Sequence, residues 1–414
     1  MSATTLTAAP PVSRAGGIQG PAALGAAALL ALGALGIGQV VGPRQAALYL
    51  LGAALGLVLY HAAFGFTSAW RVFIADRRGE GLRAQMAMLA IAVLLFFPAL
   101  AAGQLFGQPV AGNVSPIGVS LLVGAFLFGI GMQIGGGCAS GTLYTVGGGS
   151  VRMLLTLAAF IAGSAIGAAH FHWWQAQWHL APVSLVRDWG VGPALAANLA
   201  LFGLIAGGTL WLERRRHGAA VAPRPRPPLA PRQGLARLLR GPWPVLAGAV
   251  ALALLNFATL ALAGKPWGIT SAFALWGSKA AMALGIDAAA WPYWQAPAAR
   301  AALEGSVLRD VTSVMDIGIV LGALLAAALA GRFSPGLRVP LRSALAAVIG
   351  GLMLGYGARL AYGCNIGAYF SGIASGSLHG WVWMAMAFAG SVIGTQLRPL
   401  FGLEVERTPR QTGC

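Results

Sequence analysis

Long apolar runs separated by short polar segments dominate the chain. About 20 apolar residues cross the hydrocarbon core of a bilayer, so each run of that length predicts a transmembrane helix. Ten such runs cover residues 21–42, 45–64, 83–106, 116–136, 151–174, 191–212, 242–264, 311–331, 341–361 and 379–400. Segment 280–305 carries Asp287, Arg300 and Glu304, so we expect it at the interface. The pattern predicts an all-α polytopic membrane protein.

Composition and charge agree with this prediction. Hydrophobic residues make up 57% of the chain and charged residues only 9%, whereas soluble domains carry about a quarter charged residues. A net charge of +17 in a soluble protein would suggest nucleic-acid binding. Here arginines cluster between apolar runs, which is typical of topology signals and of contact with anionic lipid. We expect the bilayer as a partner and no nucleic acid.

The arginine clusters also predict orientation. They follow the second run (71–83), the sixth (214–240) and the eighth (332–342), whereas 102–118 and 362–378 contain no Lys or Arg. The arginine-rich side is expected to face the cytoplasm, with both termini there.

The same features suggest five regions along the chain. We expect a disordered tail over 1–20, a first transmembrane half over 21–212, and a cytoplasmic Pro/Arg-rich linker over 213–240. A second transmembrane half follows over 241–402, and a short tail covers 403–414.

Two motifs recur in the same order in both halves. Gly129-x-Gly131 followed by Gly137-Cys138-x-x-Gly141 returns, 226 residues later, as Gly355-x-Gly357 followed by Gly363-Cys364-x-x-Gly367. Upstream, residues 65–69 (Gly-Phe-Thr-Ser-Ala) match residues 268–272 (Gly-Ile-Thr-Ser-Ala). With the predicted orientation, the halves are inverted repeats with short broken or re-entrant helices at the centre, as in many transporters.

The two cysteines are the leading candidates for substrate contact. A thiol is a weak donor and acceptor, so it can contact a sulfur-bearing anion without holding it tightly. The flanking glycines would expose backbone N–H groups to an anion; they are Gly137, Gly141, Gly363 and Gly367. The alternative is a small buried side chain at a helix crossing. The symmetric recurrence of the motif favours function.

Four polar residues complete the candidate site. Thr67 and Thr270 occupy the two upstream breaks, and Gln133 and Arg359 each precede a cysteine by five residues. An arginine within a span usually faces a cavity or a partner. Arg359 either attracts an anion or pairs with Asp316, the one acidic residue deep inside a predicted span.

Signals for an enzyme are weak. The chain has neither a Walker loop nor HExxH, and its three cysteines form no zinc-ligand pattern. We expect no cofactor and no metal, and a transporter rather than an enzyme. A membrane thiol redox or sulfur-transfer enzyme that uses Cys138 and Cys364 as carriers is the alternative.

At these motifs the chain resembles the YeeE/YedE family of sulfur-transport membrane proteins. The resemblance rests on residues 135–142 (GGGCASGT), 267–273 (WGITSAF) and 362–368 (YGCNIGA). It implies an hourglass-shaped protein of the bacterial inner membrane, in which cysteines pass thiosulfate across a constriction. It also implies a small soluble sulfur-carrier protein as a cytoplasmic partner. Some relatives are linked to selenium, so a selenium compound is an alternative cargo.

The chain departs from this family at one position. Many members have a third cysteine in the first upstream break, where this chain has Gly65. A relay of three cysteines is therefore not expected here.

Overall fold

The structure is a computed structural model that describes residues 17–220 and 234–406. The described part is almost entirely helical, which confirms the predicted fold class. Its helices are α1 (Gly20–Val40), α2 (Pro43–Ala62), α3 (Phe66–Asp76), α4 (Glu80–Ala102), α5 (Val119–Gly135), α6 (Ala139–Gly147), α7 (Val151–Gln175), α8 (Leu185–Trp189), α9 (Val191–His217), α10 (Gly234–Arg240), α11 (Val245–Ala263), α12 (Thr270–Ala283), α13 (Pro297–Glu304), α14 (Val311–Ala330), α15 (Leu341–Leu360), α16 (Ser371–Ala374) and α17 (Leu378–Leu397).

The strands are short and peripheral. β1 (Gln104–Leu105) pairs with β2 (Gln108–Pro109), and β3 (Ile117–Gly118) pairs with β4 (His179–Leu180), both antiparallel. A π-helical turn, Asn365–Phe370, precedes α16.

Nine helical segments in the described residues are long and apolar enough to cross a membrane. Three of them join a long helix to a short one, over Pro43–Asp76, Val119–Gly147 and Leu341–Ala374. The tenth predicted span forms α17, which has 20 residues but is not among the nine. A polytopic membrane protein is confirmed.

Segment 280–305 contains no helix long enough to span a bilayer. It consists of the end of α12, two 3₁₀ turns (Ala288–Ala290 and Pro292–Trp294) and α13. Trp294 Nε1 donates to Ser278 Oγ over 3.0 Å and anchors this segment on α12.

Corresponding helices of the two halves run antiparallel where they meet. Along α5 and α15, Gly124 lies beside Leu360, whereas Gly131 lies beside Gly350. In the same way, the start of α11 packs on the end of α2, and Arg44 near the start of α2 donates to the carbonyl of Leu262. Antiparallel equivalents require an inverted repeat, so the relationship inferred from the motifs is present in the fold.

In the remaining central contacts, a helix of one half packs against a non-equivalent helix of the other half. α2 packs parallel to α14, with Gly52 on Met315 and Gly56 on Ile319, and their counterparts α11 and α4 also pack together. Likewise α5 packs on α17, and α15 packs on α7. These glycines let one backbone lie directly against the next, the close approach typical of membrane helices.

The bundle has two ends, named here the linker end and the distal end. Gln19 and Arg240 bond carbonyls at the end of α14, and Arg152 joins the end of α5 to Ser343 of α15. Arg398 also donates to the Gln133 carbonyl near the end of α5, and His217 at the end of α9 bonds the Asp76 carbonyl. Together these contacts place both described chain ends, and the segments flanking 221–233, at the linker end. Asn113, Lys265 and the starts of α12 and α14 lie at the distal end.

The described helices extend into the predicted linker. α9 continues to His217, beyond 212, and α10 covers Gly234–Arg240. Most of the predicted N-terminal tail (1–16), residues 221–233 of the linker and 407–414 of the C-terminal tail lie outside the described residues.

Candidate functional site at the two helix breaks

Each half breaks a long helix just before its cysteine. α5 ends at Gly135, Gly136 caps it with a left-handed backbone (φ +93°), and Cys138 occupies the N-cap of α6. At the matching place after α15, Tyr362 has φ +58°, and Cys364 caps the π-helical turn. A non-glycine residue with a left-handed backbone is uncommon and is enriched at functional sites. π-turns are enriched at functional sites too.

Cys138 is buried at the start of α6. Its Sγ lies 3.4 Å from Ser140 Oγ, and the Thr67 side chain and the Gly141 backbone also face it. A Cβ on Gly141 would lie 3.5 Å from this sulfur, so any larger residue there would contact the thiol. Gly137 is tightly enclosed by Met153 and Thr142, so a glycine is needed there for the backbone to turn.

Cys364 is also fully buried. Its Sγ accepts a bond from the backbone N–H of Ile366 over 3.4 Å, and the Gly367 backbone also faces it. The π-helical turn and α6, the segments that the two cysteines cap, are in contact. The structure therefore brings the cysteine-capped segments of the two halves together.

A cavity of about 290 Å³ opens at the distal end, beside Cys364. Four predicted site residues line it: Thr270, Arg359, Gly363 and Gly367. Asn113, Lys265 and Trp267 line it too. None of its described lining residues is acidic, and the first turn of α12 begins at its wall. Two cations and the positive end of a helix dipole favour an anion here.

Arg359 does not pair with Asp316, so the pairing considered from the sequence is wrong. Its Nη1 donates to Tyr293 Oη over 2.7 Å, and its guanidinium lies 5.1 Å from the Tyr293 ring centroid and 6.0 Å from that of Phe171. Tyr293 belongs to the segment predicted to be interfacial. Arg359 Nε has no hydrogen-bond partner in the described structure, so the side chain retains donor capacity at the cavity.

Two cavities lie at the linker end. The larger, about 660 Å³, is lined by Gly65 and Ser68 of the first upstream break, together with Gln85 and Arg78. It is the counterpart of the distal cavity, which Gly268 and Ser271 line at the equivalent positions. The smaller, about 390 Å³, includes Arg152 and Arg338. The buried thiols lie between cavities that open at opposite ends.

Polar side chains on the linker side of the centre are only partly satisfied. Gln133 Nε2 donates to the Thr67 carbonyl over 3.2 Å, but Gln133 Oε1 and Thr67 Oγ1 have no described partner. Buried polar atoms are normally hydrogen-bonded, so such unused capacity is expected where a polar ligand passes. The predicted residues thus form two clusters, one around each cysteine.

These features occur in a chain that matches the sulphur transport family over residues 61–393. The chain belongs to the sulphur transport family. This confirms the resemblance found in the motifs, and the match covers both helix breaks.

Relatives in the family differ in how much of the chain they match. The probable transporter YedE of Escherichia coli is 34% identical over 169 residues, which is 40% of each chain. The chain thus spans less than half of the length of that relative. The thiosulfate transporter TsuA of Spirochaeta thermophila is 28% identical over 80% of this chain and 92% of its own. TsuA of Escherichia coli is 25% identical over 82% and 91%.

Three buried polar residues of this sulphur transport family member were not predicted as site residues from its sequence. Asn365 is fully buried, and neither its amide nitrogen nor its oxygen has a described partner. Gln85 and Asp316 are fully buried with unused hydrogen-bonding atoms. Asn365 directly follows Cys364, whereas Ala139 follows Cys138 in the first half. This difference between the repeats could have identified Asn365 from the sequence.

Proposed function

We propose that this protein carries thiosulfate, or a related small sulfur-containing anion, into the cytoplasm, and that the thiols of Cys364 and Cys138 pass it across the centre of the bundle. The observation that carries this proposal is the burial of two symmetry-related thiols, on segments that contact each other, between cavities that open at opposite ends. The names of the TsuA relatives support the choice of cargo.

The distal cavity suits the first step, capture of an anion. Lys265, Arg359 and the start of α12 supply positive potential there, and Arg359 Nε is an unused donor. An anion that leaves this cavity meets Cys364 next, because Gly363 and Gly367 line the cavity and flank that thiol. Uncovered backbone at the glycines lets a small anion approach closely.

The thiols suit the second step, passage without trapping. A thiol donates only a weak hydrogen bond, so it replaces part of the anion's hydration and releases the anion readily. No Lys or Arg contacts either sulfur in the described structure; their partners are Ser140, Ile366 and nearby backbone. A reactive thiolate requires positive surroundings, so the geometry favours hydrogen bonding over covalent sulfur transfer.

We place the linker end in the cytoplasm of a bacterial inner membrane. Arg77, Arg78, Arg240 and the cluster 214–216 gather at that end, as the positive-inside rule requires. A soluble sulfur-carrier protein would then receive the anion at the 660 Å³ cavity. Inward movement of an anion opposes a negative-inside potential by about 2.3 kcal/mol per charge per 100 mV. A dianion therefore needs a coupled driving force or rapid consumption inside.

The test is uptake of labelled thiosulfate by the purified protein in proteoliposomes. We expect Cys138→Ala and Cys364→Ala each to lower the initial rate about twofold to tenfold, because the net contribution of an ordinary hydrogen bond is about 0.5–1.5 kcal/mol. Cys414→Ala is the matched control and is expected to transport at the wild-type rate. Growth of a sulfur-auxotrophic host on thiosulfate gives an independent readout.

Unchanged uptake in both alanine variants would refute the role of the thiols. Competition by sulfite, sulfate and selenite ranks the cargo, and stronger competition by selenite than by unlabelled thiosulfate would favour a selenium compound. A persulfide on Cys138 or Cys364, seen by mass spectrometry of protein incubated with thiosulfate, would instead support the sulfur-transfer enzyme.

A further inference from the structure

We propose that Asp316 is a proton-binding site that couples entry of the anion to entry of a proton. The inference rests on the proposed function and identifies a driving force for the inward movement of the anion. Asp316 is fully buried in α14, and neither carboxyl oxygen has a hydrogen-bond partner or ion pair in the described structure. A buried charge without a partner is strongly unfavourable, so the side chain is neutral in this conformation.

The helical repeat places Asp316 between the distal cavity and the helix capped by Cys138. One turn towards the distal end, Thr312 lines the distal cavity and accepts a bond from Ser271 Oγ over 3.0 Å. One turn towards the linker end, Val320 packs against Gly147 of α6. Residues four apart lie on the same helix face, so Asp316 occupies the stretch of α14 that joins the cavity to the Cys138 helix.

The charges near Asp316 do not neutralise it. Asp310, just before α14, is itself acidic, and its carboxylate accepts bonds from the backbone N–H and hydroxyl of Ser313. Lys279 of α12 bonds the carbonyls of Leu303 and Gly305, and Arg240 of α10 bonds that of Leu329. Other titratable or charged residues on or beside elements packed against α14 are Arg44, Tyr49, Tyr60, His61, Cys138, Tyr144, Arg237 and Arg309.

The other half of the repeat has an uncharged residue at this place. Asp316 is the sixth residue of α14, and Gln85 is the sixth residue of α4, its counterpart. Gln85 Oε1 accepts from Trp70 Nε1 and Tyr369 Oη over 3.0 and 3.4 Å. An amide therefore fits this position of the scaffold. A carboxyl adds one property, the ability to bind and release a proton.

Coupling follows from repulsion between like charges. An ionised Asp316 repels an anion at Cys364, so occupancy by the anion and protonation of Asp316 favour each other. In the cycle, the carboxylate takes a proton from water in the distal cavity, and the neutral side chain admits the anion. The carboxyl returns the proton to water on the linker side after the anion has passed. One positive charge then enters with each anion.

The experiment uses the full chain in proteoliposomes, with the membrane potential clamped to zero and an alkaline interior. Wild-type protein is expected to accumulate labelled thiosulfate up to about tenfold per unit of pH gradient for one proton per anion. An internal pH dye should report acidification when thiosulfate enters. Asp316→Asn is expected to lose both signals while it still exchanges internal for external thiosulfate, which also shows that it is folded.

Two further variants complete the design. Asp188→Asn removes an exposed carboxylate paired with Arg187 and is expected to keep all wild-type responses. Asp316→Glu keeps a carboxyl, so it should retain gradient-driven uptake with a shifted pH profile, whether or not Asp316→Asn folds. Absence of any uptake or exchange by wild-type protein would refute the proposed function.

Three results would overturn the inference alone. They are wild-type uptake that is indifferent to the pH gradient, stimulation by a sodium gradient in its place, and an Asp316→Glu profile identical to that of wild type.

Discussion

The two helix breaks share a backbone design but carry different polar side chains. In both, a long helix ends, a residue with a left-handed backbone follows, and a cysteine caps a short helical segment. The first break has Gln133 and Ala139 where the second has Arg359 and Asn365. At the sixth position of the equivalent helices α4 and α14, the first half has Gln85 and the second half has Asp316. Arg359, Asn365 and Asp316 all belong to the second half.

This difference teaches how a symmetric fold acquires direction. The helix contacts are constrained, because glycines at the crossings leave no room for another side chain. The polar side chains around the two cysteines are free of that constraint and differ between the repeats. In the proposed function, the second half captures the anion and the first half releases it.

Arg359→Gln gives the second half the residue of the first and should have the largest effect. Loss of the guanidinium from the distal cavity is expected to raise the half-saturating thiosulfate concentration about tenfold to a hundredfold, since a charge-assisted hydrogen bond contributes about 1.5–3 kcal/mol. Uptake measured against concentration gives the value. Arg300→Gln, at an exposed pair with Glu304, should leave it unchanged. Equal values for wild type and Arg359→Gln would contradict the assignment.

Gly129→Ala and Gly355→Ala test the shared scaffold. A Cβ on Gly129 would meet the Ala387 carbonyl, and one on Gly355 would meet that of Phe160. Overpacking of this kind destabilises by about 1–3 kcal/mol, so both variants should melt earlier and to a similar extent in detergent. Gly203 has open space around it, and Gly203→Ala should melt at or above the wild-type temperature. Tolerance of alanine in only one half would show that the scaffold is less symmetric than the contacts indicate.

Asn365→Ala gives the second break the residue found after Cys138. Removal of a buried, unpaired amide is expected to leave thermal stability unchanged or higher, because such groups cost about 1–3 kcal/mol. Uptake should fall about threefold to tenfold as one neutral hydrogen-bonding partner of the anion is lost. Thermal melting and uptake on the same preparation measure both effects. Lower stability with unchanged uptake would mean that Asn365 is structural.

The smallest effect concerns a contact that only the first half has. Arg71 of α3 makes two bonds of 2.7 Å to Glu406, whereas its counterpart in α12 is Ala274. Burial alone would raise the pKa of Glu406, but the bonds and charge of Arg71 outweigh it and lower the pKa. The pair is partly exposed, so we expect less than about 1 kcal/mol.

A lowered folded-state pKa means that the stabilisation is present above the ordinary value of 4.5 and is lost as pH falls through the lowered value. The melting temperatures of wild type and Glu406→Gln should therefore differ slightly at pH 7 and converge below pH 4.5. A difference that stays constant over this range would exclude ionisation of Glu406 as its source.

The sequence by itself determined the helices, the repeat and the two cysteines. Apolar length and glycine spacing are local properties, and a bilayer leaves a hydrophobic segment few alternatives to a helix. The antiparallel relation of the halves also followed, because arginine placement encodes topology.

The tertiary structure alone decided which polar side chains meet. Arg359 bonds Tyr293 of the 280–305 segment instead of Asp316, and Asn365, Gln85 and Asp316 retain unused polar atoms at the centre. Such pairings depend on how each helix is rotated and displaced against its neighbours. Glycine contacts spread over the whole chain set that arrangement, and no short motif records it.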